Sequence, residues 1–257
     1  MKSPKAVIIY LSISILFIIT LSSCSEDVIS PDTSQQYEIK VWDYSDNHYF
    51  LDTLYKQSFA DYYNNLTINS HTDSFQVDEQ SFEIWVQTEV TSIGYRRAGL
   101  HVNLPKLPSS GKYNDTLKSV PNPEQGIRLF GIVRKLDPSE YKLNKFPGYV
   151  SLKINLPENY FAGVAYKTPR TGEQFGTIST DSNSAPNDTL VLKMVKVQNL
   201  IPDNIIAWDL KLKNIYQLPV KPVSQSGFEF NISYYYDNSY KISLPGISTY
   251  LNTILKL

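Results

Sequence analysis

The chain has 257 residues with 24 Lys and Arg against 25 Asp and Glu, a formal charge of −1, and no basic stripe of the kind that grips nucleic acid. One cysteine rules out an internal disulfide, so packing must carry the stability, and three histidines are too few and too scattered for a recognisable metal motif. Nineteen tyrosines and eleven phenylalanines, with frequent Val, Ile and Thr, favour strands and predict a mainly β fold of antiparallel sheets, β-sandwich or jelly-roll-like, with one or two short helices.

The first element is an export signal. Lys2 and Lys5 form a positive n-region, Ala6 to Leu21 runs apolar without a charge, and small residues at Ser22 and Ser23 leave room for a peptidase. Leu21-Ser22-Ser23-Cys24 resembles the bacterial lipobox, in which cleavage after residue 23 frees the cysteine and its thiol carries lipid. An uncleaved membrane span would need roughly 17 to 25 apolar residues and gives Cys24 no role. Cys24 is therefore the predicted lipid-attachment residue. At about 0.8 kcal/mol per buried CH₂, two or three acyl chains anchor a protein almost permanently. Ser25, Glu26 and Asp27 resemble a surface-export signal of Bacteroidota lipoproteins, but they suit an ordinary polar tether over 24–36 equally well, so the face of the outer membrane stays open.

From residue 37 onward the chain reads as β-rich. Phe228, Phe230, Ile232, Tyr234 and Tyr236 alternate with mostly polar residues, as do Val150, Leu152, Ile154 and Leu156. Further strands are predicted at 37–43, 82–90, 98–104, 127–135, 160–167, 174–180 and 189–197, with turns at 107–111, 121–123 and 179–188. Two segments change period. Residues 50–66 space Phe50, Leu51, Leu54, Tyr55, Phe59, Tyr62, Tyr63 and Leu66 as one face of a helix. Residues 207–218 are also read as a helix, with Asp209 and Lys213 as an i, i+4 pair, although Trp208, Leu210 and Leu212 alone would suit a strand. Asn144 to Gly148 serves either as a long turn or as a boundary near 145–149 within the 37–257 region.

Chemistry-bearing patterns are sparse. His48, His71 and His101 make no ligand spacing, and neither a nucleophile elbow nor a glycine-rich phosphate loop is present. Asp78 with Glu79, or Asp203 with Asp209, could be offered as a glycosidase pair, but read better as solvated acids. Trp42, Trp85 and Trp208 could stack on sugars, though patterned surroundings favour core positions. The sequence predicts no catalytic residue, cofactor or metal.

Several stretches together resemble the SprA/Sov family, the very large outer-membrane proteins of type IX secretion and gliding motility. They are His48-Tyr49-Phe50-Leu51, Phe82-Glu83-Ile84-Trp85-Val86, Gly148 to Asn155 leading into Tyr160 to Tyr166, Leu190 to Lys196, Trp208 to Tyr216, and Gly227 to Tyr235. The last three are the most specific, and all occur in the family's order. The resemblance implies a non-enzymatic piece or accessory of that translocon, with a SprA-like barrel or other secretion components as partners. Family members are many times longer and carry no lipobox, so the chain stands either as a split or truncated piece or as a separate lipoprotein. The alternative is an independent surface lipoprotein that binds glycan or another ligand through a β-sandwich.

Overall fold

The computed structural model describes residues 9–15, 35–40, 42–56, 59, 76–89, 94–181, 188–218, 228–236 and 238–243. In chain order the strands are β1 (Ile9–Ile15), β2 (Gln35–Lys40), β3 (His48–Phe50), β4 (Glu83–Gln87), β5 (Arg96–His101), β6 (Arg128–Lys135), β7 (Tyr141–Asn144), β8 (Tyr149–Leu152), β9 (Ala162–Lys167), β10 (Gln174–Phe175), β11 (Leu190–Lys196), β12 (Phe228–Tyr236) and β13 (Ser239–Lys241). Short helices at Asp115–Ser119 and Ile205–Trp208 and a 3-10 turn at Pro138–Glu140 lie among these strands, so the protein is mainly β, as its composition predicts. The chain divides into two compact units, one of residues 46–212 and one of residues 1–45 with 213–257.

In the larger unit the principal sheet runs β10-β9-β11-β5-β6-β4, and β4 pairs again with β9. That second pairing closes five strands into a barrel-like ring, a finer architecture than open sandwich faces. All ring pairings are antiparallel except β5 with β11, where Ala98 lies beside Leu190 and His101 beside Lys193. Ile84, Leu100, Val133, Val164, Leu190, Leu192 and Met194, all on ring strands, are fully buried. β11 is buried at every position, so its sequence reads as a nearly continuous apolar run and not as an alternation.

A three-stranded antiparallel sheet, β3-β8-β7, lies in the same unit. The residues considered as a boundary near 145–149 form the hairpin turn between β7 and β8, inside this unit. Gly148 supplies its left-handed position at φ +65°, and a Cβ there would fall 1.9 Å from the Tyr55 ring.

The helix expected over 207–218 is corrected to the short turn Ile205–Trp208. Beyond it a turn at 209–210 leads into backbone that pairs with β3: Phe50 N donates to Leu210 O at 2.7 Å, Leu212 N donates to His48 O at 3.0 Å, and Lys211 bridges Tyr49. Long-range pairing with β3 outweighs the local i, i+4 option, and Asp209 pairs with Lys56 at 3.0 Å. The helix expected over 50–66 is corrected at its start, because Phe50 ends β3 and residues 51–54 form a turn. Tyr55, Lys56 and Phe59 are helical, and most of the rest of that segment lies outside the described residues. The strand predicted at 174–180 shortens to Gln174–Phe175.

In the smaller unit the sheet order is β13-β12-β1-β2, all antiparallel. Within the segment predicted to be the apolar core of the leader, Ile9–Ile15 forms β1.

Candidate functional site

Three lysines that sequence reasoning did not single out organise the larger unit. Lys193 is buried in the middle of β11, where Nζ meets Asp52 Oδ2 at 2.6 Å, donates to Leu104 O at 3.4 Å and lies 5.3 Å from the Phe175 ring centre. Lys196, on the same strand, donates from Nζ to the carbonyls of Pro157, Glu158 and Tyr160 at 3.0, 3.2 and 2.5 Å. Its three N–H groups thus match three carbonyl acceptors. Burial pushes this ammonium down to about 8, against the pull of Asp46 and Glu158. Lys211 donates to Asp46 and lies 5.6 Å from the Trp208 ring centre. Each lysine ties a loop to a strand, and the signal was visible: a charge inside an otherwise apolar run must find a partner when that run is buried.

Glu83 plays the complementary part at the start of β4. It is buried, accepts from Trp85 Nε1 at 3.1 Å and Ser179 N at 3.0 Å, and pairs with Lys135 at 2.8 Å. The carboxylate holds the 177–181 loop to the ring. Its motif therefore reads as architecture: Trp85 is buried beside it and offers no sugar platform, whereas Trp42 is half exposed with Lys40 Nζ 5.9 Å from its ring.

A cleft of about 330 Å³ lies beside β10. Lys112, Lys118, Lys167, Asp181 and Asp188 bring charge to its lining, with Gln174 and Thr177 between them. Lys167 pairs with Asp181 at 3.1 Å and Lys118 with Asp115 at 3.2 Å. Its floor is fixed by Tyr113, whose hydroxyl donates to Pro105 O and accepts from Gly176 N, both at 3.0 Å. Burial pushes the Tyr113 phenol up to about 12. Such alternating charges can hold a polar or anionic ligand. Thr177 Oγ1 accepts from Val191 N at 3.2 Å, so it is engaged in holding β11.

The residues considered from sequence disperse. Cys24 and His71 lie outside the described residues. His48 Nδ1 meets Ser151 Oγ at 2.8 Å and His101 Nε2 meets Leu117 O at 2.9 Å; burial lowers the pKa of both rings. Asp78 accepts from Gln80 N at 3.2 Å, a turn contact, while Glu79 pairs with Lys145 at 3.3 Å. Asp203 sits in the turn before the 205–208 helix, and Asp209 on Lys56. Among the described residues no three His, Cys, Asp or Glu side chains gather as a metal site, and no helix is long and apolar enough to cross a membrane. No family model matches the chain, and no curated protein matches it.

Proposed function

We propose that this protein is a lipid-anchored, non-enzymatic component of an outer-membrane assembly, akin to a segment of the SprA-type translocon and held by acyl chains on Cys24. The observation that carries the reading is where the resembling stretches fall. Glu83 to Val86, Ala162 to Tyr166 and Leu190 to Lys196 are neighbouring strands of one closed sheet, and Leu210 to Leu212 extends the small sheet beside β3. Their lysines and Glu83 clamp loops to that framework. In this chain those stretches contribute to one folded framework, which supports a part in an assembly.

Two experiments test the reading. Fatty-acid labelling of Cys24→Ala should show no lipid and an uncleaved precursor, and undiminished label would refute the anchor. Affinity capture of the anchored protein from its native outer membrane should recover a SprA-like barrel or other type IX secretion components. Truncation after Pro245 should weaken that capture more than it unfolds the protein.

The polar cleft beside β10 favours a second reading, an independent surface lipoprotein that binds a polar ligand such as a glycan. Capture that returns only polysaccharide-binding partners, together with loss of glycan binding in Lys167→Ala, would favour it.

A further inference from the structure

The cleft beside β10 has walls fixed from several directions. Leu107 N donates to Gln174 O at 2.6 Å, the Tyr113 hydroxyl joins Pro105 to Gly176, and Ser179 is held on Glu83 through both N and Oγ, at 3.0 and 2.7 Å. Walls tied in this way keep their shape without a ligand. A volume of about 330 Å³ falls within the roughly 300–1,000 Å³ of small-molecule pockets.

The charges on the lining do not cancel among themselves. Lys167 is matched by Asp181 at 3.1 Å, whereas Lys118 reaches Asp115, which is 92% exposed and not part of the lining. Asp188 already has a cation beside it, because Arg96 Nη2 donates to its carbonyl at 2.8 Å. Lys112 is exposed and makes no ion pair among the described residues. Three lysines against two aspartates leave the lining with one net positive charge.

This lining discriminates among ligands. Tyr113 is its one aromatic residue among those described, and it is buried with its hydroxyl engaged on both sides, so no exposed ring is offered to the apolar face of a neutral sugar. A bare anion fits no better, since the Asp181 and Asp188 carboxylates repel it and can only accept hydrogen bonds. A net-neutral zwitterion leaves the surplus positive charge unanswered. Both kinds of group are satisfied by a ring that carries several hydroxyls and one anionic substituent: the hydroxyls donate to the carboxylates, and the anion lies against an ammonium. Lysine meets an oxyanion as a point charge, so planar carboxylate and tetrahedral phosphate suit it alike.

We infer that this cleft binds an acidic saccharide unit, whose carboxylate or phosphate lies against Lys112 and whose hydroxyls donate to Asp188. The inference rests on the ligand-binding reading of the cleft given above and names its ligand class.

The test measures binding of the full chain, purified in detergent, to three probes: trigalacturonate, a mannose phosphate and neutral galactotriose. At least one acidic probe should bind about ten-fold or more tightly than galactotriose, and which of the two does so distinguishes carboxylate from phosphate. Added salt should weaken that binding. Lys112→Gln should reduce it about ten-fold with no change in thermal unfolding, because the side chain is exposed and unpaired. Asp188→Ala should reduce it as well, whereas Lys142→Gln, at an exposed position of β7, should leave it unchanged.

Equal binding of galactotriose, no effect of Lys112→Gln, or displacement of the acidic probe by equimolar acetate or inorganic phosphate would overturn the inference while leaving the cleft a binding site. Binding of no saccharide at all would remove the ligand-binding reading together with the inference.

Discussion

At the scale of single residues, buried charges decide what can be changed. Removing one partner of a buried pair leaves the other desolvated and unmatched, at about 3–5 kcal/mol, whereas replacing both by apolar groups is often neutral. Asp52→Ala should therefore destabilise the protein by about that much, and Asp52→Leu with Lys193→Met should restore most of the loss. Urea unfolding of the two variants checks this; a double variant no better than the single would mean that the salt bridge is not the relevant contact. Tyr113 gives a pH prediction. Its phenol is raised in the folded state by burial, so its contribution is complete below the ordinary phenol value of about 10. Above that value the unfolded chain ionises first, and stability is lost as pH rises toward about 12. Tyr49, Tyr55 and Tyr166 are raised for the same first cause and add to the loss. In urea melts at stepped alkaline pH, Tyr113→Phe should lose less stability than the parent chain, and an unchanged slope would remove Tyr113 from the account.

At the scale of elements, close approaches set the geometry. A Cβ on Gly131 of β6 would lie 2.4 Å from Phe161 Cζ, so the ring of Phe161 packs on bare backbone. Gly131→Ala should cost about 1–3 kcal/mol through overpacking, with partial recovery when Phe161→Leu is added, measured by thermal unfolding. β4 and β11 were legible because β-branched, aromatic and aliphatic residues cluster in Glu83 to Gln87 and Leu190 to Lys196. β3 was hidden because Phe50 continues into a segment whose aromatic spacing is helical, and β7 because Tyr141 to Asn144 is too short to show a period. Leu210 to Leu212 carried both patterns, and only the hydrogen bonds from β3 decide between them. The cleft was illegible for a different reason: Lys112, Lys167 and Asp188 come from separate parts of the chain, and nothing local links them.

At the scale of the whole molecule, the chain passes between its two units only at 45/46 and 212/213. Residues 46–212 contain the complete ring and its clamping lysines. Expressed alone, they should give a β-dominated circular dichroism spectrum and one cooperative urea transition; an unfolded fragment would make the flanking segments part of the same folding unit. The closure of the ring also has a consequence in time. β4 cannot find both of its neighbours until β9 has been made, and β5 meets β11 only when Leu190 to Lys193 have followed. Contacts so distant in sequence form late, since the intervening loop must first be ordered. A nascent chain of this topology remains unclosed while roughly its first two hundred residues are still emerging. For a chain exported as proposed above, N-terminus first and extended, that delay would act as a built-in chaperone that holds the ring open until Leu190 to Lys193 have arrived.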